Sequence, residues 1–350
     1  MSTKFPFNKL NRSAAEKKIR EEKFNRVTLS FYRYIKINDP KKVRDDLFFV
    51  WEAWGVLGRI YIAKEGINAQ LCVPEHFLEG FKRHLNNYGA FKNLPFKIAI
   101  EEPRVSFYKL TIKVKKQIVA DGLKENEYDV TDIGKHLNAS EWNKAMTDGA
   151  VVVDMRNHYE SEIGHFENAI CPEAETFREE LPMVKDLLKG KENEKVLLYC
   201  TGGIRCEKAS SYLKHFGFND VNQLHGGIIN YSHQVKNNDD LNNKFLGKNF
   251  VFDDRLSERI SDDVVSNCHQ CGEPCDDHVN CKNLHCNLLF IQCADCAKKY
   301  SGCCSPSCLE IISLPEEEQK KLRAGAEKRK MYHSHKKVDL RDAFNKKRRD

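Results

Sequence analysis

The stretch Val196-Leu197-Leu198-Tyr199-Cys200-Thr201-Gly202-Gly203-Ile204-Arg205-Cys206 decides how this chain is read. Its first four residues are apolar or aromatic and β-favouring, which predicts a buried strand running into Cys200. From Arg205 a helical pattern follows, with Ala209, Tyr212, Leu213 and Phe216 at helical spacing and Gly217 as the stop. Between them lies a tight turn with two glycines, whose backbone N–H groups can converge on the Cys200 sulfur. Amides gathered at a helix N-terminus favour negative charge, so Cys200 is expected to be largely thiolate near neutral pH. Arg205 adds a fixed positive charge and further donors. The bland alternative is a structural cysteine beside a glycine turn.

Length and charge bound the rest. At 350 residues the chain has room for two or three domains. No apolar run is long enough to span a membrane, and the opening residues (Lys4, Lys9, Arg12, Lys17, Lys18) lack the apolar centre of a signal peptide. A cytoplasmic protein with no membrane partner is expected. Fourteen cysteines in that setting point to metal ligation and thiol chemistry rather than disulfides. The net charge of +6 is unevenly placed. Residues 320–350 hold thirteen Lys and Arg against four Asp and Glu, a surplus of nine, which leaves −3 for everything before them. Such a tail is either a solvated end or an arm that binds a polyanion.

The expected organisation is an α/β multidomain chain. Residues 1–26 form a basic N-terminal arm. Strand–helix–strand–strand–helix–strand patterning over residues 27–121 predicts a ferredoxin-like α+β domain. Its sheet mixes cations with aromatic rings, which suits nucleic acid as well as it suits a solvated edge, and Lys64, Lys113, Lys115 and Lys116 are the candidate contacts. Lys64-Glu65-Gly66-Ile67-Asn68 reads equally as a turn and as polar groups offered to a neighbouring site. Over residues 128–240, continuous apolar runs such as Val151-Val152-Val153 alternate with helical segments, predicting an α/β domain with a mainly parallel sheet. The Cys200 turn then sits at the carboxyl end of a strand, where ligands bind in open α/β sheets. Residues 241–314 are a connector and a small Cys-rich module, and 315–350 a basic, flexible tail.

Ten cysteines lie between Cys268 and Cys308. Cys268-x-x-Cys271 and Cys293-x-x-Cys296, separated by twenty-one residues, have the spacing of a four-thiolate zinc site. Cys281, Cys286, Cys303 and Cys308 are expected as a second site; Cys275 and Cys304 also lie within range, and His269, His278 or His285 could substitute. Bound zinc would supply much of the module's folding energy. A redox-active thiol cluster and an iron–sulfur cluster are the rivals.

The pattern C-x-x-G-x-R after a strand resembles the rhodanese active-site loop. Four residues separate Cys200 from Arg205, one fewer than in the related phosphatase loops, so the cradle suits a sulfur-sized anion. Asp154-Met155-Arg156 and Gly164-His165 resemble the D-x-R and G-H motifs of the same fold, whose family role is mostly structural. Ala63-Lys64-Glu65-Gly66-Ile67-Asn68-Ala69, Asp154-Met155-Arg156-Asn157-His158-Tyr159-Glu160, Gly247-Lys248-Asn249-Phe250-Val251-Phe252-Asp253 and the Cys-rich block extend the likeness over residues 27–315. There the chain resembles the rhodanese-domain tRNA uridine hydroxylases.

The resemblance implies oxygen-dependent hydroxylation of the wobble uridine at C5, giving 5-hydroxyuridine, with tRNA as partner and molecular oxygen as co-substrate. It makes Cys200 and Arg205 the catalytic pair, on a loop completed by Thr201, Gly202, Gly203 and Ile204. No flavin, haem or non-haem iron motif is visible. Two routes stay open: the Cys200 thiolate adds to C6 of uridine, or an oxidised Cys200 carries the oxygen or electrons. Cys206 is either a thiol that resolves such an oxidised sulfur or a small buried residue. The rival functions are a sulfurtransferase with persulfide on Cys200 and a catalytically silent binding module.

Overall fold

A computed structural model describes residues 12–100, 105–123, 128–324 and 339–344. Within the basic N-terminal arm, for which a loosely docked helix is one of two readings, the described part opens with a helix, α1 (Arg12–Arg20), before β1 (Arg26–Tyr34). The rest of the first domain follows the predicted order: α2 (Pro40–Ala53), β2 (Leu57–Ala63), β3 (Gly66–Pro74), α3 (Leu78–Asn87), β4 (Lys97–Ile98) and β5 (Leu110–Val114). Helix α2 starts where the Asp39 carboxylate accepts from the Lys41 and Lys42 N–H groups and Pro40 fixes the first turn. The strands form one sheet in the order β4-β1-β3-β2-β5. Its first four are antiparallel in the ferredoxin-like arrangement, and β5 adds a parallel edge beside β2.

Strand alternation sorts this sheet into two unlike faces. Leu29, Phe31, Ile60, Ile62, Ile67, Ala69 and Leu71 bury with Leu47, Phe48 and Trp51 of α2 and Phe81 and Leu85 of α3. The interleaved residues, among them Tyr32, Arg59, Tyr61 and Asn68, line a cleft against the next domain.

That domain holds β6 (Lys135–Leu137), α4 (Ala139–Thr147), β7 (Val151–Asp154), α5 (His158–Ser161), β8 (Gly164–Phe166), α6 (Phe177–Leu187), β9 (Lys195–Tyr199), α7 (Ile204–His215), β10 (Asp220–Leu224) and α8 (Gly227–Lys236). Strands β6-β10-β9-β7 form an all-parallel sheet. In β9, Val196 and Leu198 pack with α6 and α7, whereas Leu197 and Tyr199 pack with α4 and α8. Helices cover both faces, which is why this strand reads as an unbroken apolar run.

Strand β8 leaves that sheet and pairs with β11 (Phe245–Phe250), itself joined by β12 (Ser257–Arg259). The Cys-rich module follows, with the antiparallel pair β13 (His278–Asn280) and β14 (Leu289–Ile291), then α9 (Ala294–Lys299) and α10 (Pro306–Ser313). The flexible tail expected over 315–350 is corrected where it is described. Residues Glu316–Arg323 are helical (α11), and residues 339–344 dock on the Cys-rich module. There the Leu340 N–H donates to the His269 carbonyl at 2.8 Å, and Phe344 stacks on Tyr300 at 3.8 Å. Two apolar side chains one helical turn apart give this charged segment something to bury. Among the described residues, no helix is long and apolar enough to cross a membrane.

Gly66 sits at φ 146°, and a Cβ there would lie 2.0 Å from the Arg33 carbonyl oxygen. Gly66→Ala should therefore cost about 1–3 kcal/mol, read as a lowered midpoint of chemical denaturation.

Candidate active site and metal centres

Cys200 directly follows β9 and is fully buried. Gly203, at φ 95°, turns the chain into α7, and its N–H donates to the Cys200 Sγ at 3.1 Å. Burial alone pushes the thiol up. The Cys206 thiol, the Arg205 charge and the backbone N–H groups of Arg205 and Gly203 outweigh it and bring Cys200 down to about 5. From the other side Gly227 packs directly on the loop, since a Cβ there would meet the Cys200 and Thr201 carbonyl oxygens at 2.5 and 2.6 Å. Only a glycine permits that approach.

Arg205 has a second task that the sequence did not show. Its Nη1 and Nη2 donate to the two carboxylate oxygens of Glu160 at 2.6 and 2.9 Å, and Glu160 is fully buried. The paired guanidinium is held rigidly and acts on the sulfur through its charge and its backbone N–H. Asp154 and Arg156 form a second buried pair, 2.6 Å at closest, and the Arg156 Nη2 also donates to the Gly164 carbonyl at 2.6 Å. His165 bonds the Ser161 carbonyl at 3.1 Å, as a packing residue. Beneath the loop Glu180 is buried, with both carboxyl oxygens lacking partners among the described residues. Burial drives its pKa well up, against the opposing pull of Arg205.

The Cys200 loop faces the open side of the first sheet across a cleft of about 360 Å³. Tyr32, Arg59, Tyr61 and Lys97 line one wall, with Cys200, Gly202 and Arg205 opposite. The Tyr32 hydroxyl donates to Glu207 of α7 at 2.8 Å, and the Tyr34 hydroxyl to the Ile204 carbonyl at 3.2 Å. Lys208 of α7, 2% exposed, crosses to the first domain, with its ammonium 3.1 Å from Glu65 and 2.8 Å from Asp121. The Lys64-Glu65-Gly66 segment is thus both a turn and an interdomain anchor. Lys64, Lys113, Lys115 and Lys116 are exposed. Of these, Lys115 reaches the mouth of the cleft, its ammonium 5.5 Å from the ring of Tyr61. The site residues that sequence reasoning missed are Glu160, Glu180 and Lys97. Glu160 lay within a quoted motif, whereas the other two carried no local signal.

The ten C-terminal cysteines resolve into two groups. Cys268, Cys271, Cys293 and Cys296 bring their sulfurs within 4.8 Å of one another, as expected from the two C-x-x-C pairs. Cys281, Cys286, Cys304 and Cys308 do the same. This corrects the expected second set, because Cys304 takes the place given to Cys303. The chain turns here into α10, and the Cys303 sulfur points instead to the Ser301 carbonyl, 4.0 Å away. None of His269, His278 and His285 joins a group. His269 bonds Glu162 at 3.0 Å, and His278 is buried near the same carboxylate. Four thiolate-capable sulfurs at this spacing are a donor set that could hold a soft or borderline metal ion.

Three family models match successive parts of the chain: a UPF0176 acylphosphatase like domain over residues 26–118, a rhodanese-like domain over 138–234, and a rhodanase C-terminal region over 246–309. The chain is 58% identical over 310 residues to a tRNA uridine(34) hydroxylase of Leptospira interrogans, covering 88% of this chain and 84% of the relative. It is 47% and 48% identical over 322 residues to proteins of that name from Enterobacter sp. and Escherichia fergusonii, covering 91% of this chain and 92% of each.

Alkylation of Cys200 by iodoacetamide should titrate with a midpoint near pH 5, its rate falling below that value as the thiolate is protonated. Cys206→Ala should move the midpoint upward by removing a donor. Arg205→Ala should raise it as well, and should cost about 3–5 kcal/mol in thermal or denaturant unfolding by leaving Glu160 buried without its partner.

Proposed function

The chain belongs to the tRNA uridine(34) hydroxylase family, and from that premise we propose that Cys200 is its nucleophile, hydroxylating the wobble uridine at C5 by way of a C6 adduct. The observation that carries this is a buried cysteine with its pKa near 5, facing a cleft roomy enough for a nucleobase and walled by Tyr32 and Tyr61. A thiolate adds to C6 and leaves C5 enolate-like, able to attack molecular oxygen. The resulting C5 hydroperoxide takes two electrons from a thiol-class reductant, which leaves a C5 hydroxyl and a sulfenic acid. Loss of the C5 proton with departure of the Cys200 sulfur restores the ring. A second thiol then returns the sulfenic acid to a disulfide and water.

To reach Cys200 the base must leave its stack, which is least costly in a loop such as the anticodon. Aromatic rings on the sheet side of the cleft suit a splayed base. The exposed Lys64, Lys113, Lys115 and Lys116 belong to the same edge of the first domain and are assigned to backbone phosphates, with the basic segment 320–350 assisting. Sulfur transfer uses the same loop, and family membership favours hydroxylation over it.

For the Cys-rich module we propose one zinc ion on Cys268, Cys271, Cys293 and Cys296, and another on Cys281, Cys286, Cys304 and Cys308. Zinc there holds the module's fold, and the thiolates neutralise its charge.

Cys200→Ser should abolish 5-hydroxyuridine in tRNA from a complemented deletion strain, read by nucleoside mass spectrometry. Full restoration by that variant would overturn the assignment, and loss of a thiolated nucleoside instead would point to sulfur transfer. Metal analysis should find two zinc ions per chain, falling to one in Cys304→Ala and staying at two in Cys303→Ala. Replacing Lys113, Lys115 and Lys116 together by Ala should flatten the salt dependence of tRNA affinity by roughly one unit per lost phosphate contact.

A further inference from the structure

Lys97 occupies β4, a strand of two residues paired with β1 through Ser30. Alternation sends its neighbour Ile98 to the apolar core of the first domain and Lys97 to the cleft. The side chain is 9% exposed. Its stem lies along the catalytic loop, with Cδ 3.6 Å from where a Cβ on Gly202 would stand. Its ammonium sits 4.4 Å from the centroid of the Tyr32 ring. The strand is held from the other domain too, because the His233 Nε2 of α8 bonds the Ile98 carbonyl at 2.9 Å.

Among the described residues no carboxylate comes within ion-pair distance of this ammonium, although other buried cations of the site, Arg156, Arg205 and Lys208, all have one. A desolvated lysine with no counter-ion destabilises a fold, so its presence calls for a use. Burial lowers its pKa to about 8, with Cys200 and Glu207 pulling the other way. The charge is therefore held on a rigid element, beside the nucleophile, with donor capacity left for a third party.

We propose that Lys97 is a catalytic residue of the uridine reaction, its ammonium donating to O4 of the ring as Cys200 adds to C6. This rests on the adduct reading above. In that step the S–C6 bond forms, and the C5=C6 π pair moves into the C5–C4–O4 system, placing negative charge on O4. Nothing is oxidised or reduced. The Lys97 N–H bonds the new oxyanion, and the charge returns to C5 when oxygen is attacked. A fixed donor aimed where charge develops typically contributes about 10²–10³ in rate.

The test uses the full-length enzyme with unmodified tRNA. Lys97→Met should lower kcat by about 10²-fold with little change in KM. It should leave the thermal midpoint unchanged or raised, because an unpaired buried charge is replaced by an apolar chain of similar length. The pH profile of kcat/KM should fall below about 5, as Cys200 is protonated, and above about 8, as Lys97 loses its proton. In Lys97→Arg the upper limb should vanish while part of the rate survives. If Lys97→Met keeps kcat within threefold, or if its loss is fully recovered at a higher pH that restores the thiolate, Lys97 does not act on the substrate. A Cys200→Ser enzyme that is still active sinks the adduct reading; an inactive one beside a fully active Lys97→Met sinks only this proposal.

Discussion

Everything in this molecule is arranged around keeping an anionic sulfur away from water. A buried thiolate is unfavourable unless donors surround it, and here they come from the start of α7, from Cys206 and from the charge of Arg205. Each donor makes its own demands. Gly203 must adopt a left-handed conformation, Gly227 must lack a side chain, and Arg205 must be balanced by Glu160. The Asp154–Arg156 pair braces the neighbouring strand end, where the Met155 N–H donates to the Tyr199 carbonyl at 2.8 Å.

The first domain supplies the other half of the site through strand geometry. A sheet with helices on one side leaves its second face to be used, and here that face closes over the Cys200 loop. The closure is polar and specific: Glu65 and Asp121 take Lys208, and Glu207 takes Tyr32. Buried polar pairs of this kind add little net stability, but they fix one relative arrangement of two domains. The cleft between them depends on that fixity, since a small shift in either wall changes what the Cys200 sulfur faces.

Much of this architecture is legible in the order of the amino acids. The strand, glycine turn and helix around Cys200 are a contiguous signal, and the parallel sheet follows from apolar runs with no alternation. The two C-x-x-C pairs announce their own grouping. What stays hidden depends on pairing between distant segments. Glu160 meets Arg205 across forty-five positions, and no periodicity links them. Lys97 looks like one more surface lysine until the pairing of β4 with β1 determines which face it takes. Cys303 and Cys304 are chemically identical, and only the local path of the chain chooses between them. The docking of Leu340 and Phe344 is within reach, because two apolar residues four apart in a basic tail are themselves a signal.

The one-turn helix α5 has an implication for how such chains can be cut and recombined. Glu160 on it grips Arg205 of the Cys200 loop, while Glu162, one residue past its end, bonds His269 between the thiols of the Cys-rich module. Strand β8, immediately after, finds its hydrogen-bonding partner in β11, which lies past the rhodanese-like match. A fragment ending near residue 240 would therefore carry a bare strand edge and an unbraced counter-ion beneath the Cys200 loop. The three regions are separable as sequence patterns but inherit as one mechanical block, and domain shuffling that moved the central piece alone would leave its chemistry behind.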